Sequence, residues 1–204
     1  MFYDKSCKWK TNKYWYCEYM CWYPQWNIPL WWSCSNCYSI YFLIKIGDVS
    51  VIRSRDLKFL EENTDLLVDI GGGKFDHHQK GGNGQRENGI KYASAGLIWK
   101  EYGSRLIAIL SNNMLNSKEI SEIANVIDQN IIQNVDMEDN GQLVSSHPFQ
   151  FITSFLPSWN KESNYDEKFE ECVNIVSTTF ENIIESYISL YLAKKEIYSR
   201  ITSP

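Results

Sequence analysis

The run Leu66-Leu67-Val68-Asp69-Ile70-Gly71-Gly72-Gly73-Lys74-Phe75-Asp76-His77-His78-Gln79 holds the densest set of groups able to do chemistry in this chain. An apolar segment closing on Asp69 reads as a buried strand that carries a carboxylate at its carboxyl end. Three glycines then let the backbone turn tightly and pass close to a ligand. Asp76, His77 and His78 follow at once, adding a carboxylate and two imidazoles. Oxygen and imidazole donors at the tip of a parallel strand suit a divalent metal. The chain has 3 histidines in all, and two of them stand side by side here. A strand cap followed by a polar turn would explain neither the glycines nor the histidine pair, so a metal site is the better reading.

Two further stretches bear on that site. Val135-Asp136-Met137-Glu138-Asp139-Asn140-Gly141 sets three carboxylates beside an Asn-Gly turn. Asp136 and Asp139 could complete a two-ion site; the competing reading is a solvated helix end, although acids there oppose the helix dipole. Lys91-Tyr92-Ala93-Ser94-Ala95-Gly96 offers the Ser94 hydroxyl at a helix start, where free backbone N–H groups can hold a phosphate. A plainly capped helix accounts for it equally well. His147-Pro148 and Ser158-Trp159-Asn160 read as turn or packing text.

Positioning these groups falls to strands alternating with helices. Val49 to Arg53 alternates and is β-branched, so it predicts a strand, with a turn or short helix over Asp56 to Asn63. Leu66 to Ile70 is the next strand, and Gly81 to Gln85 a flexible loop. Ser94 to Gly103 predicts a short helix ended by its glycine. Ser117 to Val135 is amphipathic, with Ile120, Ile123, Ile127, Ile131 and Val135 at helical spacing and Ser117 able to cap it. Asp166 to about Ser199 is a second long helical region, with Phe169, Val173, Val176, Phe180, Ile183, Ile184, Tyr187 and Tyr191 on one face. The alternation implies an α/β layer architecture.

The bulk numbers set bounds. At 204 residues the chain has room for one domain, or one domain and part of another. A net charge of −5 advertises no global basic field, which argues against a histone-like or coat-like role. A nuclease stays open, because a bound metal inverts the local field. No apolar run reaches the roughly 18 residues of a membrane span, and the N-terminus lacks a secretion pattern. An intracellular setting with reduced cysteines is the expectation.

Composition changes sharply near residue 45. Trp9, Trp15, Trp22, Trp26, Trp31 and Trp32 are six of the 8 tryptophans, and five of the 6 cysteines lie before residue 38. A zinc-binding adaptor using Cys17, Cys21, Cys34 and Cys37 is one reading, but the aromatic spacer is unlike the glycine and polar turns of zinc modules. An aromatic platform for single-stranded nucleic acid is another, without the alternation of a strand surface. The favoured reading is a frame error. Back-translated and shifted by one nucleotide, Trp22 to Trp31 permits the string GTHNGTFHC, a metal-binding motif that the rest of the chain wants. The expected organisation is therefore 1–45 non-native or disordered, 46–160 the core that carries the metal site, and 161–204 a long helical region.

Taken together, VIRSRD at Val51 to Asp56, LLVDIGG, FDHHQKG, NGIKYASAGLIWKEYG, NVDMEDNG, FLPSWN at Phe155 to Asn160, and then Asp166 and Phe169 resemble the DHH superfamily of metal-dependent phosphoesterases. More narrowly, they resemble the melanocyte-proliferating-gene family of hydrolases. The resemblance implies a DHH-type α/β domain with a mostly parallel sheet and flanking helices, incomplete at both ends. It implies two divalent metals, manganese or magnesium, and 3′→5′ exonuclease action on RNA or short nucleotides in the nucleus or mitochondrion. Carried over, Asp69 and His77 become metal ligands, with Asp76 holding His77 from behind and His78 meeting the scissile phosphate. Asp139 becomes the later metal aspartate, and Asp136 its close alternative. The family's first motif and most of its C-terminal domain are absent, so weak or no activity is expected, and a non-catalytic remnant or binding module is the alternative.

Overall fold

A computed structural model describes residues 15–16, 21–22, 29–30, 34–47, 51–52, 54, 56–142 and 164–202. Among these residues the chain is mostly helical. The helices are α1 (Cys34–Ile46), α2 (Leu57–Asn63), α3 (Ser94–Leu110), α4 (Ser117–Ile127), α5 (Gln133–Asp139) and α6 (Tyr165–Thr202). One π-helical turn, Asp128–Ile132, joins α4 to α5. Strands are limited to β1 (Trp15–Tyr16), β2 (Cys21–Trp22), β3 (Pro29–Leu30) and β4 (Leu67–Val68). β1 pairs with β4 in parallel and β2 with β3 antiparallel.

The expected α/β domain with a mostly parallel sheet is therefore corrected. Two causes stand out. The strand expected over Leu66 to Ile70 stops at Val68, because Asp69 takes a left-handed backbone with φ of +65°. Asp tolerates that region better than most residues, but a strand cannot continue through it. Val51 and Ile52 form no regular element, and the rest of the strand expected at Val49 to Arg53 lies outside the described residues.

What replaces the sheet is helix-on-helix packing. α1 lies against both α3 and α6, and its Tyr38, Tyr41 and Phe42 meet Phe180 of α6 and Trp99 of α3. Tyr38 meets Phe180 edge to face at 5.0 Å between ring centres, and Phe42 approaches Trp99 at 5.2 Å. Aromatic pairs at this spacing add directional preference to the burial of their area. The stripe Phe169, Val173, Val176, Phe180, Ile184 and Ile188 turns α6 toward this core. Outside the core, Lys45 pairs with Glu181 at 2.7 Å and Lys195 with Glu119 at 2.6 Å.

The helical expectations hold with adjusted ends. α3 runs on through Gly103 to Leu110, because Gly103 is interior: a Cβ there would collide with the Trp99 indole. α4 is capped by Asn116 instead of Ser117. The Asn116 side chain accepts from the Lys118 and Glu119 N–H groups, and Glu119 accepts from the Asn116 N–H, a full capping box.

Candidate metal centre

The site is built by one loop and two helix ends. After β4, Asp69 is pinned by its N–H to the Phe75 carbonyl at 3.0 Å, which folds the three glycines back on themselves. Gly71 and Gly72 have φ of +81° and +67°, conformations that side-chain-bearing residues rarely adopt. Asp76 locks the turn. Its carboxylate accepts from Gly72 N–H at 2.7 Å and from His78 N–H at 2.8 Å. Asn83 adds a clamp from outside, donating to the carbonyls of Gly73, Lys74 and Asp76.

These bonds present three donors to one point. Asp69, His77 and His78 offer ligand atoms within 4.8 Å of one another. His77 Nδ1 stands 3.0 Å and His78 Nε2 3.1 Å from Asp69 Oδ1. The two imidazole centres are 4.0 Å apart. Asp139, at the end of α5, brings its Oδ2 to 3.4 Å from His77 Nε2. Asp69 and His77 are buried, whereas the His78 side chain keeps 24% of its surface exposed and forms the open edge.

Electrostatics follow from the geometry. Burial works against the charged form of His77, but the Asp69 hydrogen bond and the nearby Asp139, Asp69 and Asp76 charges outweigh it and push the pKa up to about 9. Burial would likewise raise Asp69, yet its bonds to His77 and His78 hold its carboxyl below the usual aspartate value. The Ser94 hydroxyl, expected to face a phosphate, is fully buried and donates to Asp69 Oδ1 at 2.7 Å. It also lies 3.1 Å from His77 Nδ1.

Asp136 is placed differently from Asp139. Fully buried, it accepts from the Gly96 N–H at 2.9 Å and pairs with Arg86 at 2.7 Å. Ala93, the residue before α3, has no capping side chain, so the Asp136 carboxylate takes over that duty from another helix. Burial pushes its carboxyl up to about 7 while Arg86 opposes the shift; an ion pair and a backbone donor frame the ionised form. Two residues that sequence reasoning passed over matter here. Arg86 grips Asp128 through two bonds of 2.8 and 2.6 Å, and its guanidinium stacks 4.3 Å over the Tyr92 ring. Asn36 on α1 donates to Asp69 Oδ2 at 3.2 Å.

Of the cysteines considered for zinc, Cys37 is buried, Cys17 lies outside the described residues, and Cys21 and Cys34 are described in backbone only. His147 and the stretch 158–160 also lie outside the described residues. Among the described residues no helix is long and apolar enough to cross a membrane.

Comparison with known proteins places the chain. Residues 32–203 match the family model MYG1_exonuc, described as an uncharacterised protein family (UPF0160). A MYG1 protein of Dictyostelium discoideum is 34% identical over 186 residues, covering 82% of this chain and 54% of that protein. A MYG1 protein of Schizosaccharomyces pombe is 28% identical over 185 residues, covering 78% of this chain and 56% of that one. The human MYG1 exonuclease is 24% identical over 185 residues, covering 79% and 49%. The chain thus spans about half the length of the curated relatives it matches. No solved structure matches it. With the matched region running from the start of α1 to the end of α6, the chain belongs to the MYG1 exonuclease family.

Proposed function

We propose that this chain carries the metal centre of a phosphodiesterase acting on RNA or short nucleotides, with 3′→5′ exonuclease polarity. The observation that carries the proposal is the convergence of Asp69, His77 and His78, with Asp139 against His77. A buried carboxylate with two imidazoles is a donor set that fits manganese or magnesium with water completing the shell. Such a cation, when bound, lowers the pKa of a coordinated water and neutralises phosphoryl charge.

The residues themselves do the rest. Asp69, His77 and His78 would hold the cation, with Asp139 joining from the far side of His77. Ser94 fixes the rotamer of Asp69 and lies within hydrogen-bond reach of His77 Nδ1, while His77 Nε2 faces Asp139. His78, at the exposed edge, is the ligand that an incoming phosphate would meet first. Asp76 acts through the backbone, by holding the turn that aims both histidines.

Turnover is expected to be slow. Asp69, His77 and His78 form the one group of three or more His, Cys, Asp or Glu ligands among the described residues, which is sparse for two cations. The test is digestion of a short 5′-labelled RNA by the purified full chain in manganese. Ladder products that disappear with His78→Ala support the reading. Digestion that persists undiminished in His77→Ala and His78→Ala would contradict it, and a chain that takes up manganese but never cuts would leave a binding remnant.

A further inference from the structure

Asn36 sits in the first turns of α1, wholly buried, with its amide against the metal centre. Its Nδ2 donates to Asp69 Oδ2, the carboxylate oxygen opposite the one shared by Ser94, His77 and His78. Among the described residues its Oδ1 has no hydrogen-bond partner, although it is cut off from solvent. The amide cannot be turned over to relieve this. Oδ1 would then face the Asp69 carboxylate, two acceptors with no proton between them. A buried carbonyl without a donor is disfavoured, and native folds rarely keep one without a reason.

We propose that Asn36 Oδ1 is a ligand of the cation held by Asp69, His77 and His78, so that α1 contributes a neutral donor to the centre. Amide carbonyl oxygen is a regular ligand of hard divalent cations, and manganese and magnesium accept it readily. The cation would supply what the oxygen lacks. Neutrality matters as well: a carboxylate at position 36 would stand against Asp69 at hydrogen-bond distance and repel it whenever the metal is away. An amide holds Asp69 in both states, donating to it through nitrogen while oxygen serves the ion. The inference rests on the metal reading above but assigns a ligand outside the histidine loop.

Manganese titration of the full chain by calorimetry, with Asn36→Leu, Asn36→Asp and His77→Ala beside the unmodified protein, tests it. Asn36→Leu should weaken manganese binding by about tenfold or more. Asn36→Asp should tighten binding while lowering the melting temperature of the metal-free protein. A spectroscopic arm needs no variant: with asparagine labelled by 13C at the side-chain carbonyl, electron–nuclear double resonance on bound manganese should show a strong carbon coupling. If manganese binds and is lost in His77→Ala, yet the Asn36 variants bind within about twofold of the parent and no coupling appears, the Asn36 assignment is overturned and the metal centre stands. If manganese binds none of the proteins, both fall.

Discussion

Two buried polar clusters flank the first turn of α3, and they are wired in opposite ways. On one side Arg86 neutralises Asp128 and Asp136, with Gln133 donating to Asp128 at 3.0 Å and Asn88 donating to Gln133 at 2.9 Å. Its acids already have a permanent cation. On the other side, among the described residues, the Asp69 carboxylate is met by a hydroxyl, an amide and two imidazoles. That cluster gets positive charge from within only by protonating a histidine. Asp136 and Asp139 lie one helical turn apart on α5, yet each belongs to a different cluster. Acid content alone therefore says little; the first cluster is closed by its own guanidinium and the second is open to an added cation.

Breaking the closed cluster should cost the most stability. Arg86→Ala leaves Asp128 and the fully buried Asp136 without their counter-ion, a loss of about 3–5 kcal/mol in denaturant unfolding. A loss below about 1 kcal/mol would show that water reaches this cluster and that the two sites are not so different. The Arg86 grip needs no metal, so that loss should be the same with and without manganese.

A smaller effect is expected in the loop that shapes the open cluster. Asp76→Ala removes the acceptor of the Gly72 and His78 N–H groups and should cost about 1.5–3 kcal/mol. Manganese affinity should fall along with it, because His78 is aimed by one of those bonds. Unchanged affinity in a folded Asp76→Ala protein would remove Asp76 from the account of the site.

The mildest probe is pH. His77 has its pKa raised from 6.5 to about 9, so in metal-free protein its contribution to stability is complete below 6.5 and is lost as pH rises through about 9. Asp69 has its pKa lowered, so its contribution is present above 3.8 and is lost as pH falls below that value. Melting temperature in chelator should therefore decline from pH 6.5 to 9. Manganese has to displace the His77 proton and should bind more tightly over the same interval. A flat melting profile across that range would mean that the Asp69–His77 pair does not hold its proton.

Much of the site was legible because its parts lie close together in sequence. Asp69, the glycines, Asp76, His77 and His78 fall within ten residues, and the turn that unites them is dictated by glycine and by Asp76. Asp139 stood out in the sequence as one of three acids beside an Asn-Gly turn, but only the resemblance preferred it to Asp136, since the 3.4 Å approach to His77 spans 62 positions. Arg86 gave no signal at all: it stands in a Gly-Asn-rich loop, and its partner Asp128 is 42 residues away. Asn36 was hidden for another reason. The aromatic text around it looked foreign, and α1 was not anticipated, although Cys37, Tyr38, Ile40 and Tyr41 carry helical spacing. The α/β expectation failed on the same ground. Leu66 to Ile70 reads as a strand by composition, but left-handed Asp69 cuts it short, and the core around it is supplied by α1, α3 and α6.

The most direct measurement is anomalous X-ray diffraction at the manganese edge from crystals of the full chain grown with manganese. The account predicts an anomalous peak within bonding distance of Asp69, His77 and His78, and none beside Asp136. Ordered side chains around an empty centre at millimolar manganese, or a peak lodged against Asp128 and Asp136 instead, would contradict it.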